Sequence, residues 1–241
     1  MTVAQLWRYP VKSAAGERLE TASVGELGIA GDRRFGLVDR TTGLVLTARR
    51  VPELLMATPV IDDAGGPALR LPDGTVTGDD AELSAWLGRD VTLRAPHPGE
   101  RGRYEIAVDD DRPDGEWVGW EGPEGVFHDS TRTRLSIIAA PAMGDWDVRR
   151  FRPNVVLSDG DERDLLGRRI RIGSAVLDVV KQIDRCVITT RPQPGLDRDR
   201  EVLRRIAAER AGNLGVGALV VTPGAITVGD SVIVTGEFGV S

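Results

Sequence analysis

Glycine spacing constrains this chain most. The sequence holds 29 glycines in 241 residues, well above the usual share of about 7%. Most of them separate short runs of Val, Ile and Leu. Runs that short make poor helices, and glycine between them supplies the backbone freedom that tight turns need. A β-rich fold of many short strands is therefore expected. Arg169-Ile170-Arg171-Ile172, then Gly173-Ser174, then Ala175 to Val180 reads as a hairpin with a two-residue turn. Leu69 to Val76 reads as a second hairpin with Asp73-Gly74 at its tip, and Ala225 to Val234 as a third. So many strands leave many edges, and a closed barrel hides edges better than an open sheet.

Few helices are expected. Asp79 to Leu87 has Asp79 as N-cap, Glu82 in the capping-box position and Gly88 as its stop. Asp199 to Ala211 carries Val202, Leu203 and Ile206 at helical spacing and ends at Gly212. Pro141 to Arg150 is a weaker candidate. The Pro-, Gly- and charge-rich run Ala95 to Arg103 reads as a joint. It divides a smaller N-terminal β module, residues 1–95, from a larger β-barrel domain, residues 103–236.

Composition narrows the chemistry. Lys plus Arg is 31 and Asp plus Glu is 37, a net charge of −6, so there is no basic excess for general nucleic-acid binding. One cysteine and two histidines exclude an internal disulfide, a four-thiolate zinc site and an iron–sulfur cluster. Any redox centre must be a borrowed cofactor. Residues 1–13 lack the pattern of a secretory leader, and no run approaches the ~18 apolar residues of a membrane span. A cytoplasmic protein that does not engage membranes is expected. Phosphate-cradling glycine loops, dinucleotide fingerprints, zinc-protease helices and serine nucleophile elbows are all missing.

Some residues do carry chemical potential. Asp109-Asp110-Asp111 could meet a hard cation, although such runs are more often solvated loop. His128-Asp129-Ser130 holds triad residue types, but adjacency in sequence is not triad geometry. Cys186, in Asp184-Arg185-Cys186-Val187-Ile188-Thr189-Thr190, follows a strand pattern. Neighbours on a regular strand point to opposite faces, so Arg185 and Cys186 share a cleft only at a bulge or strand end. Three further segments join basic or amide groups to strand ends: Tyr9-Pro10-Val11-Lys12-Ser13, Gly31 to Asp39, and Arg150 to Leu157. Each alone reads as a charged strand end, but together they resemble a divided anion site, with Arg offering a planar fork and Lys a point charge.

These segments, in this order, resemble the MOSC-domain family, in the layout of its amidoxime-reducing members. The N-terminal resemblance lies in Tyr9 to Ser13, Gly31-Asp-Arg-Arg-Phe35, Leu46-Thr-Ala-Arg49 and Pro52. The C-terminal resemblance lies in Phe151-Arg-Pro-Asn-Val155, Asp184 to Thr190 and Pro223-Gly-Ala-Ile-Thr-Val-Gly-Asp230. It implies a mainly β, MOSC-type barrel with a smaller N-terminal β module, and a bound molybdenum cofactor (Mo-molybdopterin). Cys186 matches the cysteine that ligates molybdenum and is catalytic in that sense. Lys12, Ser13, Arg34, Ser130, Thr131, Arg152 and Asn154 match residues that contact the cofactor, Arg34 being the arginine immediately before Phe35. The implied activity is reduction of N-hydroxylated compounds (amidoximes, hydroxylamines, N-hydroxylated bases) with electrons from a separate donor of ferredoxin or flavin-reductase type. Asp184 is a candidate proton donor. The alternative is a non-catalytic carrier of the cofactor or its sulfur. The family also brings an association with pyridoxal phosphate.

Overall fold

The computed structural model describes residues 1–62, 65–108 and 115–238. The acidic run 109–111 lies outside the described residues. The fold is mainly β, 43% strand and 17% helix, as the glycine spacing leads one to expect. In chain order the strands are β1 Val3–Arg8, β2 Glu17–Leu19, β3 Thr21–Gly25, β4 Gly28–Ile29, β5 Gly36–Asp39, β6 Thr58–Ile61, β7 Pro67–Arg70, β8 Val76–Thr77 and β9 Val91–Arg94. They continue with β10 Arg101–Ala107, β11 Trp117–Glu124, β12 Leu135–Ala139, β13 Val155–Leu157, β14 Arg168–Ile172, β15 Ala175–Asp184, β16 Asn213–Thr222, β17 Gly224–Thr227 and β18 Val232–Glu237. The helices are α1 Asp80–Leu87, α2 Ala140–Met143 and α3 Glu201–Arg210.

Eight strands form one curled sheet in the order β18-β14-β15-β16-β12-β13-β1-β2. The first two strands of the chain thus belong to the sheet built by its C-terminal half. β12 and β13 run parallel, and the other neighbours are antiparallel. The two flanks of the sheet meet at one seam. Thr2 and Ser231 form an isolated bridge. Around it Val3 N–H donates to the Asp230 carbonyl (2.8 Å), Gly229 N–H to Val3 (2.8 Å) and Val232 N–H to Met1 (3.1 Å). Inside the curl, Leu6, Ile137, Val155, Ile170, Leu177 and Val216 pack in one buried core. A second core, with Leu37, Leu54, Leu69, Leu83 and Val91, belongs to the N-terminal part.

The hairpin at 169–180 is present, with Ile172 opposite Ala175. The hairpin over Asp73-Gly74 is present too, with Asp73 Oδ1 accepting from Thr75 N–H at 2.9 Å. The third expected hairpin is not. β17 pairs with β3, while β18 pairs with β14. The turn between them closes normally, with Asp230 N–H on the Thr227 carbonyl at 3.0 Å. Gly229 and Asp230 then bind Val3, and this seam parts the two strands.

α1 forms as its signals predict: Asp79 Oδ1 accepts from Ala81 and Glu82 N–H (2.9 and 3.0 Å), and Gly88 ends it with φ +64°. Replacing Asp79 with Ala is expected to lower stability by about 1 kcal/mol, read as a shifted urea midpoint. α3 lays Val202 and Ile206 against Trp7, Ile138, Val156 and Leu214, backing the sheet near the loop that carries Cys186. The 141–150 segment yields only α2 and a 3-10 turn, Val148–Arg150, because Gly144 (φ +57°, ψ −130°) breaks it. Among the described residues no helix is long and apolar enough to cross a membrane.

Candidate cofactor site

A cleft of about 410 Å³ opens between the N-terminal part and the curled sheet. Cys186 sits on its wall, half-buried. β15 ends at Asp184 after a register shift between Gln182 and Asp184, and a 3-10 turn, Val187–Thr190, begins directly after the cysteine. The strand end that the sequence argument required is therefore present, and both Arg185 and Cys186 line the cleft. The Cys186 carbonyl accepts from Thr189 N–H (3.1 Å) and Thr189 Oγ1 (3.0 Å). The turn is held by backbone, and the sulfur is left for the cleft.

The segment after β1 adds Lys12 and Ser13. It is fixed to the 32–35 run, where Lys12 N–H donates to the Phe35 carbonyl and Arg33 N–H to Tyr9, both at 2.8 Å. Lys12 Nζ lies 3.0 Å from Asp129 Oδ2, and Arg49 reaches the same carboxylate at 3.7 Å. Burial pushes the Asp129 carboxyl up, but Lys12 and Arg49 outweigh it and hold the group below the usual range. Ser13, at φ +67°, accepts on Oγ from Ala48 N–H at 3.0 Å. Arg152, at φ +53°, donates to the Ala14 carbonyl at 2.6 Å and stacks 4.3 Å from the Tyr9 ring centre. Asn154 bridges strands: its Oδ1 accepts from Ser136 N–H and Oγ (both 3.1 Å), and its Nδ2 donates to Trp7 (3.3 Å).

Two expected contacts fall elsewhere. Arg34 is exposed, and Arg33 lines the cleft in its place. The backbone is left-handed at Arg33 (φ +49°), so Arg33 and Arg34 do not follow regular strand alternation, and the match by position before Phe35 falls on the outward-facing arginine. The Arg33 guanidinium pairs with Asp32, a fully buried carboxylate that also accepts from Tyr9 N–H (2.8 Å) and lies 3.4 Å from His128 Nε2. Thr131 is exposed outside the cleft, whereas Ser130 and Thr133 line it. Ser130 Oγ accepts from Arg132 N–H (3.2 Å), turning the chain over at Thr131. No triad forms at 128–130, because His128 faces Asp32 while Asp129 is taken by Lys12 and Arg49.

Arg49, Arg150 and Arg185 join the wall as well. The signal for them was the density of arginines beside the segments already singled out. Their anchoring sets the electrostatics. Arg150 donates to the Asp197 carbonyl (2.8 Å), and Arg185 to Leu214 (2.7 Å) and Phe151 (2.8 Å). Backbone carbonyls orient Arg150 and Arg185 without cancelling their charge. Among the described residues, seven Lys and Arg side chains line the cleft against two carboxylates, Asp129 and Asp184. An acidic protein thus carries a locally cationic pocket suited to an anionic ligand.

A metal-bearing anionic cofactor fits this donor set. No three His, Cys, Asp or Glu side chains gather around an ion site among the described residues. A metal here would arrive on its own chelator and take Cys186 as its protein donor, a soft thiolate suited to such a centre. Lys12, Arg33 and Arg152 would hold the chelator's phosphate.

Lys12 gives this binding a pH dependence. Burial lowers its amine to about 8, against the raising effect of Asp129. The amine is charged below that pH and neutral above it, so anion affinity is expected to fall as pH rises through about 8. For folding the sign reverses: the native state disfavours charged Lys12, so its contribution improves between about 8 and the ordinary value of 10.5. Calorimetric titration of inorganic pyrophosphate is expected to show about tenfold weaker binding at pH 9 than at pH 7, the scale of one charge-assisted hydrogen bond. The Lys12→Arg variant is expected to show no such loss.

Comparison with known proteins agrees with the architecture. Residues 1–89 match the MOSC N-terminal beta barrel domain, and residues 128–233 the MOSC domain. Mitochondrial amidoxime-reducing component 1 of Homo sapiens and that of Mus musculus are each 24% identical, over 98% of this chain and 83% of theirs. Among solved structures, the YUAD protein from Bacillus subtilis is 13% identical, covering 96% of this chain and 93% of that one, with a TM-score of 0.44. MOSC domains are associated with molybdenum-cofactor binding, and the kinship supports a function connected with that cofactor. With both of the family's modules present in order along its length, the chain belongs to the MOSC-domain family.

Proposed function

We propose that this chain is a molybdenum-cofactor-dependent reductase of N-hydroxylated compounds, with electrons supplied by a separate protein. The observation that carries this reading is the Cys186 thiol on the wall of a cleft lined, among the described residues, by seven cations, of which Arg150, Arg152 and Arg185 are held by backbone carbonyls. The bound cofactor would supply the two electrons and the oxygen affinity that N–O cleavage needs. The chain does the rest. Cys186 gives the metal its protein donor, and Lys12, Arg33 and Arg152 hold the phosphate. Ser13 and Ser130 would offer hydroxyls to the pterin, and Asn154 ties β12 to β1 through Ser136 and Trp7. Asp184, on the rim and 3.5 Å from Lys181, is the carboxyl best situated to pass a proton to the departing oxygen. The overall change takes one N–OH group, two electrons and two protons to N–H and water.

The chain's single cysteine leaves electron delivery to a partner of ferredoxin or flavin-reductase type. Protein purified from a cofactor-sufficient host, given reduced viologen and benzamidoxime, is expected to yield benzamidine. Release of intact cofactor to an acceptor apoprotein without any reduction would replace this reading with the carrier alternative.

A further inference from the structure

Glu162 opens a 3-10 turn, Glu162–Leu165, and is 0% exposed. It does not line the cleft, and nothing in the chemistry above uses it. A buried carboxylate is costly unless its oxygens are bound, and three donors bind this one. Oε2 accepts from the Ala139 N–H at the end of β12 (3.1 Å). Oε1 accepts from the Gly215 N–H in β16 (3.1 Å) and from Arg210 Nη2 at the end of α3 (2.5 Å). The Gly215 N–H is one end of a peptide unit whose other end is the Leu214 carbonyl. That carbonyl accepts from Arg185 Nε at 2.7 Å. A trans peptide is planar, with its N–H and carbonyl pointing opposite ways, so the carboxylate that fixes one end aims the other at Arg185. Gly215 also makes room for the guanidinium. Its φ is +84°, and a Cβ there would lie 3.0 Å from Arg185 Nη2 and 2.7 Å from Ile138 Cγ1.

We propose that Glu162 is the positioning residue for Arg185, so that a carboxylate outside the cleft sets the anion affinity within it. This rests on the reading of the cleft as an anion site, and not on any reductase activity. Arg185 lines the cleft directly before Cys186, and the Phe151 carbonyl holds it from a second side at 2.8 Å. A long side chain loses much rotamer freedom when it is fixed, and an arginine already aimed loses none of it on binding. The Glu162 charge also polarises the shared peptide and strengthens its carbonyl as an acceptor. Released from Leu214, Arg185 would keep its charge and lose its fixed place. Glutamine cannot stand in for Glu162, because its amide offers one acceptor oxygen where the two N–H groups need two.

The test titrates inorganic pyrophosphate calorimetrically into the full chain, made in a host that lacks the molybdenum cofactor so that the cleft is free. Glu162→Gln is expected to weaken binding about tenfold, and Arg185→Ala by a similar factor, the scale of one charge-assisted hydrogen bond. The double variant is expected to lose about tenfold in total, because Glu162 acts only through Arg185. A role confined to stability would leave the Glu162→Gln affinity at the wild-type level or multiply the two losses to about a hundredfold, and either result overturns the proposal. Should Glu162→Gln fail to fold, Glu162→Asp keeps the charge on a side chain one methylene shorter. It is expected to show the same pattern with a loss of about threefold. A wild type that binds no pyrophosphate removes the anion site and this proposal with it. A wild type that binds, beside variants whose losses multiply, removes the positioning role alone.

Discussion

Under the proposed reading, Cys186→Ser is expected to abolish reduction of N-hydroxylated compounds while leaving the fold and most of the pterin in place. The size of the effect follows from the donor chemistry. Outer partners of metal ligands typically cost 10–100-fold when removed, so loss of the direct donor is expected to exceed about 100-fold. Serine keeps the volume but offers a hard oxygen that stays protonated near neutral pH, a poor substitute for a soft thiolate. The fold is spared because the local turn depends on the Cys186 carbonyl, which Thr189 binds twice, and not on the sulfur. Pterin is expected to be retained because Lys12, Arg33 and Arg152, which would hold it, line the cleft from other elements. The check is molybdenum and pterin stoichiometry beside turnover. A variant with wild-type activity would remove Cys186 from the chemistry.

Neighbouring arginines give the second large contrast. Arg33→Ala is expected to destabilise the protein by about 3–5 kcal/mol and to deplete bound cofactor, whereas Arg34→Ala is expected to stay within about 0.5 kcal/mol of wild type. Arg33 is the charge partner of Asp32, whose side chain is 0% exposed. Burial alone would raise that carboxyl, but Arg33 and His128 overcome it and hold it well below the usual range. Removing Arg33 leaves a buried charge with only the Tyr9 amide and a histidine that burial disfavours in its charged form. Arg34 is exposed and lies 5.2 Å from the Phe35 ring, so little is lost with it. Urea denaturation of the pair, with cofactor content measured alongside, reads both effects. Equal behaviour of the two variants would refute the assignment.

That same pair marks the limit of what the sequence discloses. Local signals are legible where one short segment decides the outcome, as with the Asp79 cap, the Gly173-Ser174 hairpin and the Val202–Ile206 face of α3. Partnership between distant strands is not local. Ala225 to Val234 alternates like a hairpin, yet its halves join β3 and β14 because Val3 binds the turn between them. Alternation also fails wherever the backbone turns left-handed, and Ser13, Arg33 and Arg152 all do so at the cleft. The segments bearing the site were therefore readable, while the choice between Arg33 and Arg34, or Thr131 and Thr133, depended on φ angles and turns that residue types leave open. The Arg49–Asp129 pairing and the place of Trp120 on the cleft wall gave no local signal, since each depends on elements meeting across the cleft.

The seam between Thr2 and Ser231 has a consequence for biosynthesis. The start of β1, at Thr2 and Val3, cannot complete its bonding until residues 229–232, far along the chain, have been made. At ~5–20 residues per second, that wait is on the order of ten to fifty seconds. Throughout it the edge of β1 at Thr2 and Val3 stays open, while β2 and later β13 cover the rest of the strand, and an open edge is prone to pairing with other nascent chains. Slow translation or crowded expression should therefore favour aggregation through β1, and a chaperone that shields this edge should raise the yield of folded protein.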